Sequence, residues 1–363
     1  MNALLRIIAA ASALIASPLG AAEFTIPTNY PAEYRQLIDE SHSQPEVLIY
    51  SNISTTNWEP FLAFAKEKFP WIRVTATDEN TQFEKYYAES GSNVRTADLI
   101  ITFAPEQWYN FLERGQVTPY KSPEAANLPE WSLKGGEGIY AASFDPFIFS
   151  YNRRAFANMT PPLSVAEVAS GLANNPDIKN RIGSYTPEVS LGLTIWQAWT
   201  SAKGEEGWKL IEAIGSSMRP EQSAGTLREK VSTGEYAVAM FTSGAGIRQY
   251  ETPAIKALAG WGYPSDGTPL MQRSVAITKA AASPTSAKLI LDLLLSRDGQ
   301  IAFAKGGQSP YRLDIKPADV PFPSYNAIAA AVGEENIILI TPKKFLIDEQ
   351  KEFMKRWNSA IGR

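Results

Sequence analysis

Short apolar runs alternate with amphipathic helical patterns early in the chain, and this alternation restricts the fold more than any other feature. Residues 47–50 (Val-Leu-Ile-Tyr) form a compact apolar run of the kind that makes a strand buried on both faces. Beyond it, Trp58, Phe61, Leu62, Ala65 and Phe69 are spaced to share one face of a helix, with Asn57 as the expected N-cap and Pro60 in the first turn. A second strand is predicted over residues 72–76. Thr81 and Glu84 then form a capping-box pattern ahead of Phe83, Tyr86 and Tyr87. A third strand over residues 98–103 precedes a helix carrying Trp108, Phe111 and Leu112 and closing at Gly115. Successive strand–helix units imply a parallel sheet with right-handed crossovers, so the fold class is α/β.

The regularity breaks beyond Lys121, at Ser122-Pro123, Leu128-Pro129 and the glycine-rich residues 135–138. Residues 139–152 are strand-like, but Pro146 interrupts them, which suits a backbone crossing between lobes better than a central strand. A second set of elements follows, with helices over 163–172, 191–202 and 208–214 and strands over 181–186 and 236–241. A turn-rich connector at 263–269 leads to a return strand at 273–277. Ser283 should then cap a helix with Pro284 at its first position, its buried face lined by Ala287, Ile290, Leu291 and Leu294. Another helix begins at Ser296, and a final amphipathic segment presents Leu346, Phe353, Trp357 and Ile361 on one face. A chain that leaves its first lobe and returns to complete it has two hinge strands. The expected division is residues 23–143 plus 270–363 for one lobe and 144–269 for the other.

Composition removes several functions. With 34 basic against 38 acidic residues and a net charge of −4, no overall field favours nucleic acid. The chain has no cysteine and a single histidine, which excludes thiolate chemistry and makes any catalytic triad depend on His42. His42 lies in a polar segment with Ser41, Ser43, Gln44 and Pro45, and no carboxylate pair suited to hydrolysis can be picked out, so hydrolase mechanisms and thiolate or His-rich metal sites are disfavoured, and no cofactor is expected. Arg6, the apolar residues 7–16, Ser17-Pro18 and the small residues Gly20, Ala21 and Ala22 read as a cleavable signal peptide over residues 1–22, with the mature protein in the periplasm. That apolar run is about half the ~20 residues a membrane-spanning helix needs, and no later one is longer.

With these features in place, the chain resembles periplasmic solute-binding proteins of ABC importers, in the branch that holds ferric-ion binders, binders of phosphorylated compounds and the phosphoglycerate-transport regulatory protein. The matching stretches are residues 48–51, 96–99, 119–125, 144–146 with 151–153, 226–235 and 294–300, in family order through nearly all of the mature chain. The resemblance implies a two-lobed periplasmic-binding-protein fold of the type II kind, a ligand held in the cleft between lobes, and an ABC permease of the inner membrane as partner. It implies no catalysis. The phosphoglycerate-type relatives add an alternative, a sensor that presents its ligand to a membrane histidine kinase.

Ligands of open parallel sheets sit beyond the carboxyl ends of the strands, which selects candidate residues. From the first lobe these are Ser51, Asn52, Thr55, Thr56, Asn80, Thr81 and Thr102; from the second, Ser184, Tyr185, Thr186, Ser190, Thr242, Ser243 and Gly244. Helix N-termini and hydroxyls at such places suit phosphate or carboxylate, and plain helix capping is the alternative for each. Arg273 on the return strand is the leading cation for a bidentate anion contact, with a structural salt bridge at the hinge as its alternative. Iron binders of the family present adjacent tyrosines shortly before an arginine, in the stretch matching residues 241–248 here. The pair falls on Gly244 and Ala245, neither of which offers the hard phenolate donor that ferric ion requires. Tyr185 and Tyr250 remain as phenol sources. The expected ligand is therefore a small organic anion, phosphorylated or phosphonate compounds among them, with ferric iron or a metal chelate as the alternative.

Overall fold

Two long strands carry the chain between two hydrophobic cores. The computed structural model describes residues 24–92, 94–342 and 347–362, so the expected signal peptide lies outside the described residues. Ten strands are present among them: β1 (Glu46–Ser51), β2 (Arg73–Ala76), β3 (Leu99–Thr102), β4 (Tyr140–Asn152), β5 (Ile182–Tyr185), β6 (Met218–Glu221), β7 (Val238–Ser243), β8 (Ala259–Gly262), β9 (Thr268–Ile277) and β10 (Ile337–Ile340). β1 lies parallel between β2 and β3, and β9 joins antiparallel to β3 with Leu99 opposite Ile277. β5 lies parallel between β6 and β7.

β4 and β9 join these sheets. Tyr140 to Pro146 of β4 pair with β9, and from Phe147 onward β4 pairs with β7 on one edge and, from Phe149, with β8 on the other. Pro146 stands at the changeover, where its missing N–H breaks no ladder. β10 pairs with the beginning of β9.

The strand runs are apolar on both faces because helices cover both. Ile49 and Ile101 face the first core with Trp58, Phe61 and Phe303, while Tyr50 and Ile100 face the opposite layer with Phe83, Trp108 and Phe111. The second core gathers Phe149, Ile182, Trp196, Trp199 and Met240. Trp58, Trp108, Trp196 and Trp199 are fully buried, as expected of core rather than stacking residues. The last helix, Ile347–Ala360, lays Trp357 against Trp196 with ring centroids 5.0 Å apart and Phe353 against Trp208 at 5.3 Å, so it packs on the second core.

Local chemistry departs from the sequence reading in several places. The helix Thr55–Lys68 begins two residues before Asn57, with Ser54 at the cap position, and Pro60 lies inside it. Thr81 precedes the helix Gln82–Gly91 but makes no side-chain cap, so the capping box does not form. Ser283 makes no cap bond either, whereas Ser296 accepts from the Gly299 amide at 3.1 Å. The helices expected over 191–202 and 208–214 are one element, Ser190–Ile214, broken at Gly204, whose φ of 59° is one that glycine adopts at little cost.

Asp292 lies in the first core and accepts hydrogen bonds from the hydroxyls of Tyr120 at 2.7 Å and Tyr34 at 3.0 Å. Burial pushes it up to about 7, opposed by these donors and reinforced by Glu124. Its value in the unfolded chain is near 3.8, so the folded state holds the proton more tightly. Its stabilising contribution is whole below the unfolded value and is lost as pH rises through about 7. We predict that Asp292→Asn melts higher than wild type at about pH 8 and that the gap closes towards about pH 4, read as the difference in Tm. A gap constant with pH would contradict this.

Candidate ligand site where the two cores meet

The changeover in β4 places a buried ion pair between the cores. Arg273 of β9 lies opposite Ser143, and its Nε stands 3.4 Å from Asp145 Oδ2, both side chains about 5% exposed or less. Burial pushes Asp145 up and Arg273 down, and their mutual attraction opposes both shifts. Asp145 also accepts from the Ser309 amide at 3.1 Å and the Ser143 hydroxyl at 3.0 Å. Arg273 Nη1 donates to Asn52 Oδ1 at 2.5 Å, and its guanidinium lies 3.7 Å from the centre of the Phe103 ring. Of the two roles open to Arg273, the structure shows the hinge salt bridge.

The second lobe reaches this junction through the end of β7. Between β4 and β7 the register shifts, with Ile148 opposite Thr242 but Ser150 opposite Ala239, so β7 carries an extra residue there. Phe241, at φ 55°, is the bulky residue held in the left-handed region at this bulge. Thr242 and Ser243 follow, and then the turn Gly244–Gly246. A Cβ on Gly244 would stand 2.5 Å from the Pro146 carbonyl oxygen, so only glycine fits against the hinge. Arg248 then extends from the helix Ile247–Tyr250 and donates through Nη2 to the Lys305 carbonyl at 2.5 Å, with the Ala304 carbonyl at 3.5 Å. These are final carbonyls of the helix Arg297–Lys305, where a cation is favoured. Gly306 and Gly307 follow, and a Cβ on Gly306 would stand 1.9 Å from the Asn57 carbonyl oxygen. Gln308 Oε1 and Ser309 Oγ, both buried, have no hydrogen-bond partner among the described residues.

The candidate residues divide by what their side chains already do. The Ser51 hydroxyl donates to the Thr77 carbonyl at 2.6 Å and accepts from Trp58 Nε1 at 2.9 Å, so it ties β1 to the following helix. Ser184 donates to the Met240 carbonyl at 3.3 Å and Thr242 to the Ile148 carbonyl at 3.4 Å. Thr186 accepts from the Glu188 amide at 3.3 Å. Thr102 is buried on β3. Thr55, Thr56 and Ser190 are exposed in the first turns of their helices, Asn80 and Thr81 are exposed on the loop after β2, and Asn52 and Ser243 are half-buried at the junction. The Tyr185 phenol is buried near the Ser243 backbone, and burial pushes it above its ordinary value. Tyr250 is raised for the same reason. His42 lies exposed against Trp71, away from these loops. No cluster of three His, Cys, Asp or Glu suited to a metal occurs among the described residues.

Two arginines of the second lobe, Arg228 and Arg248, were not singled out from the sequence, although Arg228 lies in a stretch that carries the resemblance and Arg248 ends the stretch compared with the iron binders. A single cation on a helix looks like any solvated residue until the turn it faces is known. Cavities of about 640 and 390 Å3 open elsewhere, one between Tyr30 and Arg312 and one beside Asn152 and Arg181. None of the candidate residues lines either.

A family model for bacterial extracellular solute-binding proteins matches residues 95–335. Among solved structures, a substrate binding protein of an ABC transporter from Agrobacterium tumefaciens is similar with a TM-score of 0.71 and 22% identity, over 87% of this chain and 94% of that one. Iron-bound HitA from Pseudomonas aeruginosa is similar with a TM-score of 0.64 and 16% identity, over 87% of this chain and 99% of that one. AfuA from Actinobacillus pleuropneumoniae, with fructose-6-phosphate bound, gives 0.59 and 17%, over 87% and 98%. These likenesses share the two-lobed fold. No curated protein sequence matches.

Truncating Asp145 leaves Arg273 buried without its carboxylate. Asp145→Ala is expected to lower stability by about 3–5 kcal/mol in urea denaturation, with part of the loss recovered in the double variant Asp145→Ala, Arg273→Met. A loss below about 1 kcal/mol would show that the pair does not hold the hinge.

Proposed function

Because the chain belongs to the bacterial extracellular solute-binding family, we propose that it captures a small organic anion between its two lobes and delivers it to an ABC permease in the inner membrane. The observation that carries this reading is the passage of β4 and β9 through both cores, with arginines where they meet. A solute bridging Asn52 or Phe103 on one side and the turn after β7 on the other would contact both lobes. It would then favour the closed arrangement by its differential affinity. The lobes of this reading are residues 23–143 with 270–363 and residues 144–269, although Ile340, Phe353, Trp357 and Ile361 pack on the second core. Cleavage of residues 1–22 and a periplasmic address complete it, and no catalytic step belongs to it.

The donor chemistry supports an organic anion over ferric ion. In the sequence resemblance Gly244 and Ala245 match the tyrosine pair of the iron binders, and a Cβ on Gly244 would stand 2.5 Å from the Pro146 carbonyl oxygen. The nearby phenols, Tyr185 and Tyr250, are held protonated by burial, whereas ferric ion needs phenolates. No observed surface favours a sensor kinase over a permease.

A thermal-shift screen of the mature protein against organic phosphates, phosphonates, carboxylates and ferric citrate tests the reading. A true ligand at a hundred times its Kd adds about 2.7 kcal/mol to the native state. The expected result is stabilisation by an organic anion, weakened by Ser243→Ala; stabilisation by ferric ion alone would overturn the reading.

A further inference from the structure

Arg228 lies on the helix Ala224–Thr233, which Ser223 caps by accepting from the Thr226 amide at 3.1 Å. Leu227 and Val231 of this helix are buried in the second core, and Arg228 is half-buried beside them. Its guanidinium faces the turn after β7, because a Cβ on Gly246 would stand 3.5 Å from Arg228 Nη1. The same guanidinium acts electrostatically on the phenols of Tyr185 and Tyr250. It is thus beside the ends of β5 and β7, on the side from which the second lobe meets the hinge.

Arg228 makes no side-chain hydrogen bond and no ion pair among the described residues. Other half-buried arginines of this lobe are engaged: Arg181 donates to the carbonyls of Asp177 and Gly234, and Arg219 to Asn180. A guanidinium carries five N–H donors in a fixed fork, and leaving them unused in a partly desolvated place costs free energy. The phenols beside it are neutral, so they can donate to a ligand but cannot balance the charge. Arg248, the other cation of this wall, is held by main-chain carbonyls without a carboxylate.

We propose that Arg228 is the specificity-determining cation of the cleft and grips an oxyanion group of the solute, a carboxylate, phosphonate or phosphate ester. The proposal rests on the solute-binding reading above and names the residue and ligand group that the reading leaves open. The planar fork matches two oxygens of such a group at once. The neutral Tyr185 phenol, near the Ser243 backbone and within the electrostatic reach of Arg228, is the donor nearest at hand in this reading.

Isothermal titration of the mature protein with glycerol 3-phosphate, phosphonoacetate and succinate tests it, on wild type, Arg228→Met and Arg228→Lys. The probe that binds wild type most tightly identifies which oxyanion is preferred. Arg228→Met is expected to weaken that probe by about 10- to 100-fold. Arg228→Lys, which keeps the charge without the fork, should recover part of the loss. The Tm of each unliganded variant reports on folding, and should Arg228→Met fail to fold, Arg228→Gln takes its place. Binding by the neutral variant within about twofold of wild type would overturn the role of Arg228 while leaving the anion reading intact. If wild type binds none of the three probes, the anion reading itself falls and this proposal with it.

Discussion

The buried pair of Asp145 and Arg273 is the interaction on which the architecture turns. Each charge alone would be too costly at this depth, so the two strands that carry them must stay in register through any relative movement of the lobes. The pair is also anchored sideways, through Asn52 at the end of β1 and through the Ser309 amide after the Gly306-Gly307 turn. One ion pair thus connects the first lobe's β1 loop, both hinge strands and a first-lobe turn. Gly244 closes the arrangement from the second lobe by packing on Pro146, where the β4 ladder changes partners. A rigid junction of this kind leaves bending to the loops around it.

The electrostatics of the junction follow from which cations are neutralised. Arg273 is balanced by Asp145 and contributes little net field. Among the described residues Arg228 and Arg248 carry no such carboxylate partner, so the uncompensated cations beside the junction belong to the second lobe. On the proposed reading an arriving anion meets these cations in a region already partly desolvated. The tyrosines beside it are neutral at neutral pH, and burial pushes them further up.

Much of the fold was legible in the sequence because it depends on periodicity. The runs around Ile49 and Ile101 are apolar on both faces, and the helix bearing Trp58, Phe61, Ala65 and Phe69 buries those side chains as their spacing requires. Pro146 pointed to the crossing for a backbone reason that holds irrespective of tertiary context. What was not legible depends on partners distant in sequence. β6, β8 and β10 have four residues each, two of them interrupted by proline or glycine, and exist through pairing with β5, β4 and β9. Hydroxyls such as those of Ser51 and Ser184 follow strands as a ligand site would, yet main-chain carbonyls across the sheet take them up. Arg228 shows the converse, since its significance comes from the glycine at 246 that leaves space beside its guanidinium.

The central claim is that an oxyanion draws the lobes together about the hinge strands, and a distance between the lobes tests it most directly. The chain has no cysteine, so Glu106→Cys on the first lobe and Glu229→Cys on the second can carry a spin-label pair without background. Pulsed electron paramagnetic resonance would record their separation with and without glycerol 3-phosphate, phosphonoacetate or succinate. The account predicts that one of these probes shifts the distribution towards the shorter distance and that Arg228→Met abolishes the shift at the same concentration. Distributions unchanged by a probe that titration shows to be bound would contradict it.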